Sequence, residues 1–292
     1  MMKSGFVNII GKPNAGKSTL MNVLVGEKLA IVTPKAQTTR HRIKGILTTD
    51  SYQIVFSDTP GIIEAKYALH KVMMRFVEEC LEDADLLLWV IDASDNEKDE
   101  KLISLLSKHQ DRLMIILNKI DLINQKTLEN KVLEWQQIFP NVPILPISAS
   151  NRFQIDVLLQ KIIEKLPQHP AYFDEEALTD KTERFFAAEI LREKIFLHYQ
   201  KEVPYSTDVQ IVAFKESEEL LHIQAEIIVE RDSQKGILIG KGGKDLKKVG
   251  TEARKEMEQF FGKKVHLEQF VKVEKDWRKQ EKWLKRLGYQ VD

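Results

Sequence analysis

Gly11-Lys12-Pro13-Asn14-Ala15-Gly16-Lys17-Ser18, followed by Thr19, is a stretch whose residue types suit the gripping of phosphate. Glycines let backbone N–H groups turn inward onto anionic oxygens, and a helix starting at the loop's end adds its positive dipole end. Lys17 has the reach for β- and γ-phosphates, and the Ser18 hydroxyl suits Mg²⁺. The loop follows an apolar run, Phe6–Ile10, and opens a helical pattern, Thr19–Leu24. Strand, glycine loop and helix in that order are the context a phosphate-binding P-loop requires, whereas a plain turn before a helix needs none of the polar positions.

Two later segments choose the base. Asn118-Lys119-Ile120-Asp121 follows the apolar run Leu113–Leu117, which puts it at the carboxyl end of a strand, where α/β sheets bind ligands. A carboxylate at Asp121 accepts two hydrogen bonds from guanine N1–H and the 2-amino group, a pair that adenine lacks. Asn118 is expected to tie this loop to the P-loop, and the Lys119 stem to lie over the base. Ser148-Ala149-Ser150 follows another strand, Val142–Ile147, and the Ala149 N–H suits guanine O6. The expected ligand is GTP or GDP.

Asp58-Thr59-Pro60-Gly61 ends the strand Tyr52–Ser57, with Asp58 placed to hold Mg²⁺ through water and the Gly61 N–H to meet the γ-phosphate. Thr33–Arg40, polar and aperiodic, reads as a switch segment centred on Gln37, Thr38, Thr39, Arg40 and His41. A threonine there completes the Mg²⁺ shell, and Thr39 is favoured over Thr38. After the glycine come Ile62 and Ile63, where a Ras-like GTPase places a glutamine that orients water. Ile62 therefore lines the nucleotide without orienting water, and slow intrinsic hydrolysis is expected. Asn14 either braces the loop or ligates a monovalent cation such as K⁺. In GTPases with this GxPNxGKS loop that cation is thought to replace an arginine finger.

The elements that must position these residues alternate as strands and helices to about Pro167, with helical patterns at Asp99–Lys108, Leu128–Ile138 and Asp156–Leu166. Continuous apolar strands joined by amphipathic helices imply a mostly parallel sheet covered on both faces, and His41–Thr48 reads as an antiparallel strand beside Tyr52–Ser57. Pro167-Gln168-His169-Pro170 and the acidic Asp174-Glu175-Glu176 read as a linker. Beyond it, Glu183–Gln200 is helical with Phe185, Ile190, Leu191, Ile195 and Leu197 on its apolar side. Val209–Phe214 and Leu220–Val229 alternate as strands, a helix carries Leu246, Val249, Ala253, Met257, Phe260 and Phe261, and Val265–Val271 closes as a strand. Between them, Ile239-Gly240-Lys241-Gly242-Gly243 forms a GxxG loop with Lys244, Lys247 and Lys248 just after it. This order is that of an α-first KH domain, whose GxxG loop clamps a single-stranded nucleic-acid backbone. RNA is the expected partner, with those eight residues as the contact surface.

The fold class is therefore α/β: a Ras-like P-loop NTPase domain plus a C-terminal α/β type II KH domain. Boundaries are expected at 1–168 for the GTP-binding domain, 169–182 for the linker, 183–274 for the KH domain and 275–292 for a helical tail. The 292 residues carry 44 basic and 44 acidic side chains, so whole-chain charge does not announce a nucleic-acid binder. One cysteine, Cys80, lies in a helical pattern and excludes an internal disulfide, as suits a reducing cytosol. Seven scattered histidines lack zinc spacing, no apolar run reaches membrane-span length, and the chain enters its first strand with no signal peptide expected.

With GKPNAGKST, KAQTTRHRI, DTPGI, NKID and ISA in the first domain, and ERFFAAEILREKIF, EVPYS, IGKGG and WLKRLGY in the second, the chain resembles the Era family of GTPases along essentially its whole length. The resemblance implies GTP hydrolysis and binding to the 3′ end of 16S rRNA during maturation of the 30S ribosomal subunit. It further implies a monomer that binds no DNA, located in the cytoplasm with loose peripheral association at the inner face of the plasma membrane. The alternative from the residues alone is an RNA chaperone whose nucleotide site is only structural or regulatory. GTPases that drive tRNA modification or iron uptake need a cofactor domain or membrane spans, for which this chain has no segment.

Overall fold

The structure, a computed structural model, describes residues 2–290; Met1, at the start of the expected GTP-binding domain, and Val291 and Asp292, at the end of the expected tail, lie outside it. The chain forms two compact units. The first contains the residues up to Ala30, Thr39–Glu64 and Met73–Asp180, and the second contains Ile31–Thr38, Ala65–Val72 and the chain from Lys181.

In the first unit β1 (Lys3–Ile10), α1 (Lys17–Val25), β2 (Ile43–Thr48), β3 (Tyr52–Asp58), the Met73-onward part of α2 (Ala68–Glu82), β4 (Leu86–Asp92), α3 (Glu100–Leu106), β5 (Leu113–Asn118), α4 (Gln125–Ile138), β6 (Ile144–Pro146) and α5 (Ile155–Lys165) follow one another. The sheet order is β2-β3-β1-β4-β5-β6, with β2 antiparallel to β3 and the other pairs parallel. β5 is buried along its whole length, which is why it reads as an unbroken apolar run. Strand order reverses at β1, the switch point where α/β sheets open a crevice at their carboxyl ends. Register pairs Ile9 with Asp58 and Asp92 with Asn118, so the loops after β1, β3 and β5 emerge along one edge.

Trp89 meets Trp135 edge-on at 4.9 Å and, with Phe139, anchors the core beneath α3 and α4. Cys80 is fully buried in α2, and burial pushes its thiol up to about 12, so it packs as a small apolar residue. The segment 168–180 lies along this unit. Ile46 N–H donates to Leu178 O at 2.8 Å, Thr179 donates to Lys44 O, and the Gln53 amide holds the backbone of Tyr172 and Phe173. The bonds to Ile46 and Lys44 cover the open edge of β2, which would otherwise present unpaired N–H and C=O groups.

In the second unit α6 (Glu183–His198), β7 (Asp208–Glu216), β8 (Leu220–Val229), α7 (Asp232–Ile239), α8 (Lys244–Phe261), β9 (Lys264–Val273) and α9 (Glu281–Arg286) give the order α-β-β-α-α-β before the tail. The sheet runs β7-β8-β9, antiparallel then parallel, over a core that includes Leu191, Ile195, Ile223, Ile227, Leu238, Ala253 and Met257. One expectation for α6 is corrected. Leu197 is 45% exposed, while Phe186 and Phe196 are inside together with Glu189, Arg192 and Glu193. Charged residues on the buried side hid the true face from the apolar spacing. The tail packs too: Trp277 is fully buried and donates to Ser206 O at 2.9 Å, and Tyr289 OH donates to Asp208 Oδ2 at 2.6 Å.

Among the described residues no helix is long and apolar enough to cross a membrane, and no cluster of three or more His, Cys, Asp or Glu could hold a metal.

Candidate functional site

The P-loop leaves β1 at Gly11 and enters α1 at Lys17. Gly16 stands at φ +96°, and a Cβ there would lie 2.2 Å from Asn118 Nδ2, so only glycine lets the loop pass that amide. Lys17 is 6% exposed and its ammonium folds back to donate to Gly11 O at 3.1 Å and Lys12 O at 2.9 Å. Burial pushes it down to about 8 against the pull of Asp58, and a phosphate anion alongside would favour the charged form. Lys12 points elsewhere, pairing with Asp95 at 3.0 Å. Pro13 lies against Gly61, and Asn14 is exposed at φ +62°. Thr19, in the first turn of α1, is half-buried.

Three oxygens converge beside the helix start. Ser18 Oγ donates to Asp58 Oδ2 at 2.6 Å, Thr39 Oγ1 to the same oxygen at 3.1 Å, and the two hydroxyls are 2.9 Å apart. Asp58 is fully buried, its other oxygen has no hydrogen-bond partner, and burial is the main cause pushing its carboxyl up despite Lys17, Ser18 and Thr39. A buried carboxylate and two hydroxyls form the hard-oxygen set that Mg²⁺ prefers, so Ser18, Thr39 and Asp58 fit that ion. Thr38 is not in the cluster: its hydroxyl bonds Thr33 Oγ1 at 2.6 Å and Lys35 O at 2.7 Å.

Thr59 Oγ1 donates to Ile9 O at 2.8 Å and pins the turn after β3, Pro60 and Gly61 follow, and Ile62 N–H donates to Gly11 O at 3.2 Å. The Ile62 side chain is partly buried against the core that contains Trp89 and Trp135, so no polar group comes from this position to orient water. Arg40 is 1% exposed and His41 half-buried in the loop before β2. Gln37, in the second unit, bonds His70 at 3.2 Å.

Asn118 is the joint between loops. Its Nδ2 donates to Ala15 O at 2.9 Å and its Oδ1 accepts Ala149 N–H at 3.0 Å. The Ala149 N–H expected to meet guanine O6 is thus engaged by Asn118 in this structure. Lys119, at φ +64°, pairs with Asp92 at 2.6 Å. Hydrogen bonds from Lys119 and Ser94 outweigh burial and hold the Asp92 carboxyl below its ordinary range. Asp92 carries no motif of its own in the sequence; its one signal is an apolar strand, Leu86–Ile91, that ends in a lone carboxylate. Asp121 is exposed in the turn after β5, and Ser148 and Ser150 flank Ala149 with their hydroxyls 3.4 Å apart.

In the second unit the GxxG loop joins α7 to α8. Gly240 has φ +70° and ψ 179°, a region open essentially to glycine alone, and a Cβ there would lie 2.0 Å from Asp245 Oδ2. Lys241, Gly242, Lys244, Lys247 and Lys248 are exposed around it, with Ile239 and Gly243 half-buried. Nothing lies within 4 Å of where a Cβ would stand at Gly242 or Gly243, so the backbone is open to close approach. Ile237, not among the expected contacts, is 49% exposed one turn before the loop and adds apolar surface.

A switch-point sheet with a P-loop, an Asp-Thr-Pro-Gly turn and an Asn-Lys-x-Asp loop, in a chain that also carries an α-first KH fold, defines a GTPase with an attached KH domain. Family models match accordingly: 50S ribosome-binding GTPase over residues 6–119 and KH domain over 202–278. GTPase Era of Syntrophus aciditrophicus is 47% identical over 99% of this chain and 96% of its own, and that of Geobacter metallireducens 45% identical over 98% of both. A crystal structure of Era in complex with MgGDPNP and nucleotides 1506–1542 of 16S ribosomal RNA superposes with a TM-score of 0.95 at 39% identity, covering 100% of both chains. A point variant of Aquifex aeolicus Era bound to GDP·AlF4⁻ matches equally, at 0.95 and 39%, over 99% of this chain and 100% of that one. The chain belongs to the Era family of GTPases.

Proposed function

We propose that this protein hydrolyses GTP to GDP and phosphate, and that the nucleotide state regulates the grip of its KH fold on the 3′ end of 16S rRNA during maturation of the 30S subunit. The observation that supports this most is the end-to-end similarity to an Era solved with both MgGDPNP and that RNA segment, in a chain whose own P-loop and GxxG loop are intact.

In this reading Gly11–Thr19 wrap the phosphates, Lys17 supplies a positive charge to the β/γ oxygens, and Asn118, Lys119, Asp121 and Ser148–Ser150 hold guanine. Ser18, Thr39 and Asp58 hold Mg²⁺, which when bound neutralises charge on the phosphates. With Ile62 in place of a polar residue, water must be oriented by backbone or by a second cation, and in this reading Asn14 ligates K⁺ against the phosphates. Ile239–Lys244, Lys247 and Lys248 take the RNA backbone. The protein acts as a cytoplasmic monomer, with peripheral contact at the inner membrane face carried over from the family.

RNA affinity, measured at one salt concentration for the 3′-terminal rRNA segment, tests the reading. It should be higher with a non-hydrolysable GTP analogue than with GDP, and Lys241→Asp with Gly242→Asp should lower it in both states. Equal affinity in the two nucleotide states would leave two tethered, independent modules, and no measurable affinity would remove the RNA assignment.

A further inference from the structure

The first unit holds a cavity of about 170 Å³ that belongs neither to the metal cluster nor to the base loop. Its whole lining lies in that unit, and none of Lys17, Ser18, Thr39, Asp58, Asn118 or Asp121 contributes to it. Lys12, Pro13 and Ala15 form one wall, so the cavity lies against the phosphate loop. An apolar cavity of about 150 Å³ takes a benzene-sized ring, so one ring with a short arm sets the size of an occupant. The deep lining is apolar: Trp89, Trp135 and Leu102 are each no more than 6% exposed. The charged lining is nearer to solvent, with Asp92, Asp95 and Asp99 half-buried and Glu97 exposed.

These charges select the sign of the occupant. Among the lining residues Lys12 is the sole cation, and its ammonium donates to Asp95 Oδ2 at 3.0 Å and Glu97 O at 2.8 Å. Lys119 on Asp92 and Lys131 on the Asp95 backbone bring two more ammoniums from outside the lining, and negative charge still stays in excess. The Glu97 N–H and the Lys12 ammonium hold the Asp95 carboxyl below its ordinary range, so it is charged at neutral pH. The Lys12 and Asp95 side chains are 31% and 35% exposed, and a pair that wet is worth little, so a second ammonium can share Asp95 or displace Lys12 from it. An anion meets repulsion here. A cation meets carboxylates at the mouth and indole rings, which attract positive charge, further in.

We propose that this cavity binds a small organic cation, with its ammonium at Asp95 and Glu97 and a compact ring or branched alkyl body against Trp89, Trp135 and Leu102. Such binding needs neither nucleotide nor RNA.

The test is a titration of full-length protein with benzylamine, benzyl alcohol and benzoate, following the tryptophan indole N–H signals by NMR. Trp277 and Trp283, in the second unit, are internal controls. Benzylamine should move the Trp89 and Trp135 signals with a Kd of about 1 mM. It should bind roughly tenfold more tightly than benzyl alcohol, and benzoate should leave the signals in place. The double variant Asp95→Asn/Glu97→Gln, at positions that touch water, should bring benzylamine down to the affinity of benzyl alcohol, itself unchanged. Benzyl alcohol binding the parent as tightly as benzylamine, or benzylamine affinity unaltered in the variant, overturns the cation assignment. No shift of Trp89 and Trp135, or equal shifts at all four tryptophans, overturns the site.

Discussion

Replacing Asn118 by alanine removes one amide that serves two loops. Its bonds to Ala15 O and Ala149 N–H are 2.9 and 3.0 Å long, and Asn118, Ala15 and Ala149 are each no more than 2% exposed. A buried group left without its partner loses about 1–3 kcal/mol; at about 1–2 kcal/mol each, the lower part of that range because neither Ala15 O nor Ala149 N–H is charged, the two amount to about 2–4 kcal/mol when both loops are held closed on a nucleotide. Without nucleotide the loops can open and reach water, which places most of the loss in affinity and little in folding stability. GDP affinity, read by titration calorimetry or a fluorescent analogue, should fall roughly 30- to 1,000-fold. Asn118→Asp should be worse, since it sets a carboxylate oxygen against the Ala15 carbonyl. Gly16→Ala should imitate Asn118→Ala, because its Cβ would stand 2.2 Å from the same Nδ2. GDP binding by Asn118→Ala within about threefold of the parent, in a folded protein, would refute the view that this amide joins the base loop to the phosphate loop.

Asp121→Asn should weaken GTP and gain xanthosine triphosphate, because the amide offers a donor where guanine's amino group needs an acceptor; competition binding with both nucleotides checks it. Exchanging K⁺ for Na⁺ at constant ionic strength should slow turnover if Asn14 holds the larger cation, and equal rates would leave Asn14 bracing the loop. Gly240→Ala should destabilise the fold by about 2–3 kcal/mol, since φ +70° with ψ 179° is nearly closed to a Cβ, as urea unfolding would report. Gly242→Asn, at φ +63° and ψ 27° with open space around it, should cost under about 1 kcal/mol in the same assay.

The strands and the nucleotide loops are legible in the sequence because each rests on a local rule: apolar runs for strands covered on both faces, glycines where backbone must meet phosphate, and carboxylates at strand ends. The antiparallel β2 is also readable, from its short turn to β3. What escapes is what depends on tertiary partners. Leu197 follows the apolar spacing of α6 yet points outward, while Glu189, Arg192 and Glu193 lie inside, because their partners come from residues more than 150 positions earlier as well as from the helix itself. Asp92 is invisible as the partner of Lys119 until β4 and β5 are placed in register. The acidic composition of 174–176 suggests only a linker, and no local pattern announces that Leu178 and Thr179 bond to the edge of β2. Residue type alone barely separates Thr39 from Thr38, and the geometry gives the reason for the choice: only Thr39 shares Asp58 with Ser18.

Crosslinking of the full-length protein, loaded with a non-hydrolysable GTP analogue, to small-subunit ribosomal RNA tests the central claim most directly. Crosslinks should concentrate at the 3′ terminus of 16S rRNA and map on the protein to Ile239–Lys248. They should be weakened when GDP replaces the analogue and lost with Lys241→Asp/Gly242→Asp. Crosslinks spread over the RNA, or persisting undiminished in that variant, would contradict it.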